Sequence, residues 1–256
     1  MTVITSINAQ DRYFARTYTS SILPRGSIDL ELWHTSRMGH ESQFYYGMDQ
    51  RMEMEVGLGK YWQTALYFNH YSERKSTSAD GTVVENEMGF SNEWKVRIAN
   101  ETKSRPSIAL YGEWGVKGGD ELELEGKVIA DKSLGKHLLA LNLVGEKEYE
   151  WAWQNQKTTI EGAINAEIDL GYLYNFSIPF GAGVEVVDRN RFEAGKWDYS
   201  VLSAGPTLNY RGDRWFVLLN VLPQWSNLHK TPVAPGKRDL MNNERVEARI
   251  IAGISF

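Results

Sequence analysis

The sequence predicts an all-β chain, an up-and-down antiparallel transmembrane β-barrel of about twelve strands with short periplasmic turns and longer extracellular loops. Three observations predict it. Apolar and charged side chains alternate at a period of two along most of the 256 residues. The connections between alternating segments are by turns short and long. The chain ends on Arg249-Ile250-Ile251-Ala252-Gly253-Ile254-Ser255-Phe256, an alternating apolar run closed by an aromatic ring.

The alternating segments cover 27–36, 42–57, 61–71, 87–99, 107–117, 121–131, 137–146, 160–172, 177–188, 198–210, 215–225 and 244–256. Most come close to the ~9–11 residues that a tilted strand needs to cross a bilayer. In the second segment Phe44, Tyr46, Met48, Met52, Met54 and Val56 oppose Asp49, Arg51, Glu53 and Glu55. In the fourth, Met88, Phe90, Trp94, Val96 and Ile98 oppose Glu87, Glu93, Lys95 and Arg97. In the sixth, Leu122, Leu124 and Val128 oppose Glu121, Glu123, Glu125 and Lys127. In the eighth, Ile160, Ile164, Ile168 and Leu170 oppose Glu161, Asn165, Glu167 and Asp169. In the last, Val246, Ile250, Ile254 and Phe256 oppose Arg245, Glu247 and Arg249. Between them, 58–60, 100–106, 133–136, 173–176 and 211–214 are expected as short turns. Long loops are expected near 72–86, 147–159, 189–197 and 226–243. The short Gly118-Gly119-Asp120 connection breaks the rule.

Composition narrows the class. A chain that is 42% hydrophobic and 24% charged is not disordered. The absence of cysteine excludes disulfides, thiolate metal sites and thiol nucleophiles. A net charge of −5 speaks against a nucleic-acid partner. No apolar run reaches the roughly 18 residues of a membrane-spanning helix. Residues 1–10 lack the basic start and long apolar core of a secretory signal. Residues 1–25 are therefore expected as a periplasmic lead-in or a processed-signal remnant, with the barrel over 26–256.

Alternation alone also fits a soluble sandwich, so the wet face has to be argued. A barrel of about twelve strands encloses more space than side chains fill, so its charged face can point inward to water. The apolar face carries rings near strand ends: Phe44, Tyr46, Phe68, Phe90 and Trp114 toward one rim, and Trp62, Tyr172, Tyr210, Trp215 and Phe256 toward the other. Amphipathic rings prefer membrane interfaces. No helix is at hand to cover a soluble sheet. The lipid-facing set is then Met48, Met52, Met54, Trp62, Leu66, Phe68, Phe90, Trp94, Leu110, Trp114, Ile250, Ile254 and Phe256. Backbone groups in lipid must pair internally, so the last segment should pair with the first and bring Arg245 and Arg249 beside Asp29 and Glu31.

The stretches L-P-R-G-S-I-D-L-E-L-W at 23–33, D-Q-R-M-E-M-E-V-G-L at 49–58 and Q-T-A-L-Y at 63–67, with the carboxy terminus, resemble a poorly characterised family of Gram-negative outer-membrane β-barrels. The terminal aromatic resembles the sorting signal of such barrels. The resemblance implies the architecture and the bacterial outer membrane; it implies no reaction.

The expected pore-lining residues are Asp49, Arg51, Glu53, Glu55, Glu93, Lys95, Arg97, Glu113, Glu121, Glu123, Glu125, Lys127, Glu161, Glu167, Asp169, Glu185, Arg245, Glu247 and Arg249. Acids outnumber bases, which suits a passive channel for small polar or cationic solutes. Opposite charges pairing across adjacent strands would instead give a polar plug. A non-catalytic subunit of a larger outer-membrane complex is the second reading. The triplet Glu121, Glu123 and Glu125 spaces its carboxylates about 7 Å apart, too far to share one Ca²⁺. No cofactor or metal is expected.

The expected partners are outer-membrane lipid and lipopolysaccharide, and other outer-membrane proteins in the subunit reading. Arg74, Lys75, Lys147, Lys157, Arg191, Lys196, Lys230, Lys237 and Arg238 in the outer loops suit lipopolysaccharide phosphates or are simply solvated. A lipid-acting hydrolase is the third reading. Some twelve-stranded outer-membrane barrels are lipases with Ser and His on the outer face, and here His34 and His70-Tyr71-Ser72 are the nearest candidates. Arg211-Gly212-Asp213 is expected as an ordinary turn.

Overall fold

Each alternating segment becomes a strand because a period-two apolar stripe is buried only on a pleated surface. The computed structural model describes residues 12–41, 43–77, 81–154, 157–177 and 179–256. Its strands are β1 (Ile28–Met38), β2 (Tyr45–Gly57), β3 (Trp62–Thr77), β4 (Gly81–Ala99), β5 (Ser107–Lys117), β6 (Glu121–Leu134) and β7 (His137–Gln154). They continue as β8 (Lys157–Glu161), β9 (Ala163–Asn175), β10 (Phe180–Glu193), β11 (Lys196–Arg211), β12 (Trp215–Asn227) and β13 (Val246–Ser255). β8 and β9 are interrupted only at Gly162 and hold one continuous register against β7, so they form a single stave. The result is a closed antiparallel barrel of twelve staves.

Closure runs through β1 and β13, as the sequence requires, but the register differs from the expected juxtaposition. Asp29 lies opposite Ser255 and Glu31 opposite Gly253, whereas Arg249 lies opposite Thr35. Arg249 Nε donates to Thr35 Oγ1 at 2.8 Å. Arg245 precedes the strand and donates its backbone N–H to Met38 and Gly39 at the outer rim. Antiparallel pairing fixes the sum of partner numbers, and Arg249 lands four residues past Glu31 and six past Asp29.

Three expected long loops are mostly ladder. The β3–β4 hairpin stays paired to Thr77 and Gly81, β7–β8 to Gln154 and Lys157, and β10–β11 to Glu193 and Lys196. The last closes on Ala194 and Gly195, both at positive φ, as a two-residue hairpin turn demands. These hairpins rise past the apolar band, where both faces meet water and alternation disappears. Residues 81–88 of β4 are all exposed, Val83 and Val84 included. Among the described residues, 228–245 is the long connection without a ladder.

The outer surface is apolar. Leu32, Met52 and Phe68 are 61%, 56% and 60% exposed. Rings touch laterally in bands: Phe68 on Phe90 and Phe90 on Trp114, Trp62 on Trp94, and Phe180 and Trp215 on Tyr210.

The lead-in is where the structure departs from the sequence. Residues 1–11 lie outside the described part, but Arg12, Phe14, Ala15, Thr17, Tyr18, Thr19, Ser20 and Leu23 are buried inside the cylinder. Rather than staying in the periplasm, this stretch fills the inner half of the lumen. There a length of the chain itself takes up the space, with ion pairs such as Arg12–Glu31 and Lys95–Glu55 packed around it.

Candidate site: the charged lumen above an internal segment

The inward faces of β1 to β13 set the site, because every second residue of a closed sheet must point to the axis. The expected pore-lining residues separate into three groups. Asp49, Arg51, Glu113, Glu123, Glu125, Lys127, Glu167, Asp169 and Arg249 wall a cavity of 210 Å³ in the outer half. Glu53, Glu55, Glu93, Lys95, Glu185 and Glu247 are buried in the packed lumen around the lead-in. Arg97 sits at the inner rim, while Glu121, Glu161 and Arg245 sit toward the outer mouth. Of the expected lipid-facing residues, Met52, Met54, Trp62, Phe68, Trp94, Leu110, Trp114, Ile250, Ile254 and Phe256 are exposed on the outside. Met48, Leu66 and Phe90 are half-buried among their neighbours.

Opposite charges pair across adjacent strands at Arg189–Glu167, 2.8 Å, and Lys117–Glu121, 3.2 Å, but one stretch of the wall opposes like charges. Four carboxylates stand directly opposite one another on successive strands: Glu93 faces Glu113, Glu113 faces Glu125, and Glu125 faces Glu146. One level further out, Glu123 faces Glu148. Like charges directly opposed destabilise a sheet. Compensation comes from other directions. Lys127 reaches Glu125 at 3.0 Å, Arg51 reaches Glu113 at 3.7 Å, and Asn165 donates to Glu146 at 2.6 Å. Tyr67 and Tyr111 donate hydroxyl hydrogens to Glu93 and Glu113. On β10, Arg189 binds Glu167, directly opposite on β9, at 2.8 Å, and reaches Glu244 at 3.2 Å and Glu247 at 3.4 Å.

The floor of the cavity is Arg16 and Tyr18 of the lead-in. Arg16 bonds Glu167 at 2.5 Å and lies 3.7 Å from Glu247. Arg12 is 3.4 Å from Glu31 and 3.7 Å from Glu53, and its guanidinium lies 4.4 Å from the ring centres of both Tyr18 and Trp33. Above the cavity the 228–245 loop packs on β12: Gln224 donates to the Asp239 carbonyl at 2.9 Å, and Asn227 N–H to the Lys237 carbonyl at 2.7 Å. Glu41 N–H donates to Leu240 O, tying the β1–β2 connection to it. This loop narrows the mouth.

Arg191, expected as an outer-loop base, turns inward to Glu148 at 2.8 Å, and Lys75 is held by Glu73 at 2.6 Å. Among the described residues the acids close enough to share an ion are Asp29, Glu31 and Glu55, whose carboxylate oxygens lie within 4.8 Å of one another. Arg12 and Lys95 already bring positive charge to that group, Lys95 at 3.8 Å from Glu55.

Sequence reasoning missed Arg12, Arg16, Tyr18, Trp33, Tyr71 and Glu146. Trp33 and Tyr71 point inward against the expectation that rings face lipid. Their odd positions, in phase with Glu31 and Glu73, carried the signal. Arg12 and Arg16 belong to no period at all.

On the outer face His34 Nε2 lies 3.0 Å from Ser36 Oγ, and that oxygen lies 3.1 Å from the Tyr46 hydroxyl. A strand's i, i+2 spacing puts both side chains on one face. His70, the other candidate, contacts Gln50 Oε1 through Nδ1 at 3.3 Å.

No curated protein of known function matches the chain. Its fold matches an outer-membrane channel from Pseudomonas putida F1 with a TM-score of 0.63 at 10% identity, over 93% of this chain and 98% of that one. The translocator domain of the autotransporter NalP from Neisseria meningitidis matches with a TM-score of 0.61 at 9% identity, over 90% and 88%. The NanC porin matches with a TM-score of 0.53 at 10% identity, over 89% and 98%. At such identities the likeness is one of architecture, that of an outer-membrane β-barrel. Residues 118–256, more than half of the sequence, match the model of a family of unknown function, DUF6662, and the chain belongs to that family.

Proposed function

We propose that the protein is a narrow channel of the bacterial outer membrane that favours small cationic or polar solutes. One observation carries this: the directly opposed carboxylates Glu113, Glu125 and Glu146 on successive strands of the cavity wall, a run that continues to the buried Glu93. Side-chain charge rings select the sign of a permeant ion. Around the cavity Asp49, Glu113, Glu123, Glu125, Glu146, Glu167 and Asp169 outnumber Arg16, Arg51, Lys127 and Arg249 by seven to four. A sheet that tolerates like charges face to face keeps a field that attracts cations. The low-calibre expectation follows from the cavity volume of 210 Å³, enough for a few waters and a small solute. Outer-membrane lipid is the surrounding solvent in this reading.

Planar-bilayer recording in a salt gradient tests it. The reversal potential should lie toward the cation's equilibrium value, and the double variant Glu113→Gln/Glu125→Gln should move it toward zero. A reversal potential on the anion side would refute the reading.

A second reading rests on the His34–Ser36 contact. A hydroxyl beside an imidazole nitrogen on a lipid-facing strand is a nucleophile–base pair. Ser36 Oγ would attack a lipid ester carbonyl while His34 Nε2 takes the proton and returns it to the leaving alcohol. Water would then hydrolyse the acyl-serine. Ester turnover in mixed micelles that survives Ser36→Ala would eliminate this reading.

A further inference from the structure

We propose that the inner half of the lumen is a binding site for an extended polypeptide, occupied here by residues 12–23 as an exchangeable plug. Its conductance readout rests on the channel reading above; its binding readout does not.

The wall engages the backbone of the segment. Glu185 Oε2 accepts from the Arg16 and Thr17 N–H groups at 2.9 and 2.7 Å. Asn142 accepts from the Tyr18 N–H at 2.7 Å and donates to the Tyr18 carbonyl at 3.0 Å. Asp131 accepts from the Ser20 N–H at 3.1 Å, Gln63 from the Leu23 N–H at 2.7 Å, and Asn209 donates to the Tyr13 carbonyl at 2.9 Å. Five inward side chains, on β3, β6, β7, β10 and β11, thus satisfy a main chain that belongs to no strand. A buried main chain must have such partners. Here they are supplied by side chains, as in a peptide receptor, and not by a ladder.

The wall is also shaped for it. A Cβ on Gly57 would stand 2.1 Å from the Pro24 carbonyl oxygen, and one on Gly171 would stand 2.9 Å from the Phe14 ring. Phe14 sits in a slot with Leu138, Ala140 and Leu173. Glycine where another chain approaches closely is the mark of a made-to-fit contact. Every polar tie in the set can pass to water when the segment leaves, because the neighbouring outer half of the lumen is already lined by polar groups. The exposed Pro24-Arg25-Gly26 link leads out of the site into β1.

The test uses the folded barrel with a specific protease site inserted after Arg25. Cleavage turns the lead-in into a bound peptide. A fluorescent peptide of residues 12–23 should then exchange in with saturable binding, and Gly171→Leu should weaken it at least tenfold. Oxidising the double variant Ser20→Cys/Asp131→Cys, in a chain free of other cysteines, should block exchange, and reduction should restore it. Conductance should rise when the cleaved segment is washed out. Failure of the labelled peptide to exchange into the cleaved barrel would overturn the proposal, as would equal binding by Gly171→Leu. Saturable exchange with no current would support the site and defeat the channel reading instead.

Discussion

Arg16 is the most informative residue to remove. Its guanidinium bonds Glu167 at 2.5 Å and approaches Glu247 at 3.7 Å, with 17% of the side chain exposed. A hydrogen bond to a charged group contributes roughly 1.5–3 kcal/mol. Breaking a fully buried pair costs about 3–5 kcal/mol, because one charge is left without a partner. That upper range does not apply here, since Arg189 still holds Glu167 at 2.8 Å and Glu247 at 3.4 Å. Arg16→Ala should therefore weaken docking of residues 12–23 by about 2 kcal/mol, roughly thirtyfold in the open-to-docked ratio. Amide hydrogen exchange in detergent micelles reads this directly. The Thr17 and Tyr18 amides, held by Glu185 and Asn142, should exchange about thirty times faster, while strand amides of β9 and β10 stay unchanged. Arg16→Lys keeps the charge without the planar fork and should fall between. A change below twofold at Thr17 and Tyr18 would show that Arg16 does not anchor the segment.

Other outcomes follow from the wall itself. Leu32→Arg places a charge on the most exposed apolar position of β1 and should cost about 2–4 kcal/mol in a lipid-vesicle unfolding titration, against little for the same change at a solvent-exposed rim position such as Thr82. Gly205→Ala should lower the temperature at which the barrel loses its compact migration in detergent gels, because a Cβ there would stand 1.8 Å from the Val221 carbonyl oxygen. Equal heat resistance of the two chains would mean that β11 and β12 can separate at that point without loss.

Strand existence was legible because it depends on a single local rule. Met48, Met52 and Met54 against Asp49, Arg51 and Glu53 can only be sorted by a pleat, and the same sorting recurs along the chain. Closure was legible for the same reason, since lipid allows no free edge. The register was not legible. Whether Arg249 meets Glu31 or Thr35 depends on the angle at which twelve strands tilt to close, a property of the whole sheet. The upper hairpins were illegible for a different reason. Once Glu73, Arg74 and Lys75 leave the membrane no face needs to be apolar, so the ladder continues without its signature.

The contents of the lumen are a harder case, because alternation says which way a side chain points and nothing about what meets it. Glu185 reads from the sequence as one more pore carboxylate, yet it holds the backbone of Arg16 and Thr17, as Asp131 holds that of Ser20. The opposed acids Glu31 and Glu53 would repel one another in an empty cylinder; Arg12, brought in by the lead-in, lies within 3.7 Å of both. Acid-rich walls and an arginine-bearing segment are thus complementary halves, and neither half is interpretable alone. An excess of acids over bases in the strands of a barrel, taken with arginines outside the alternating pattern ahead of the first strand, is therefore a readable sign of an internal segment. It is a sign carried by charge balance, the one property of Arg12 and Arg16 that needs no secondary structure to express it.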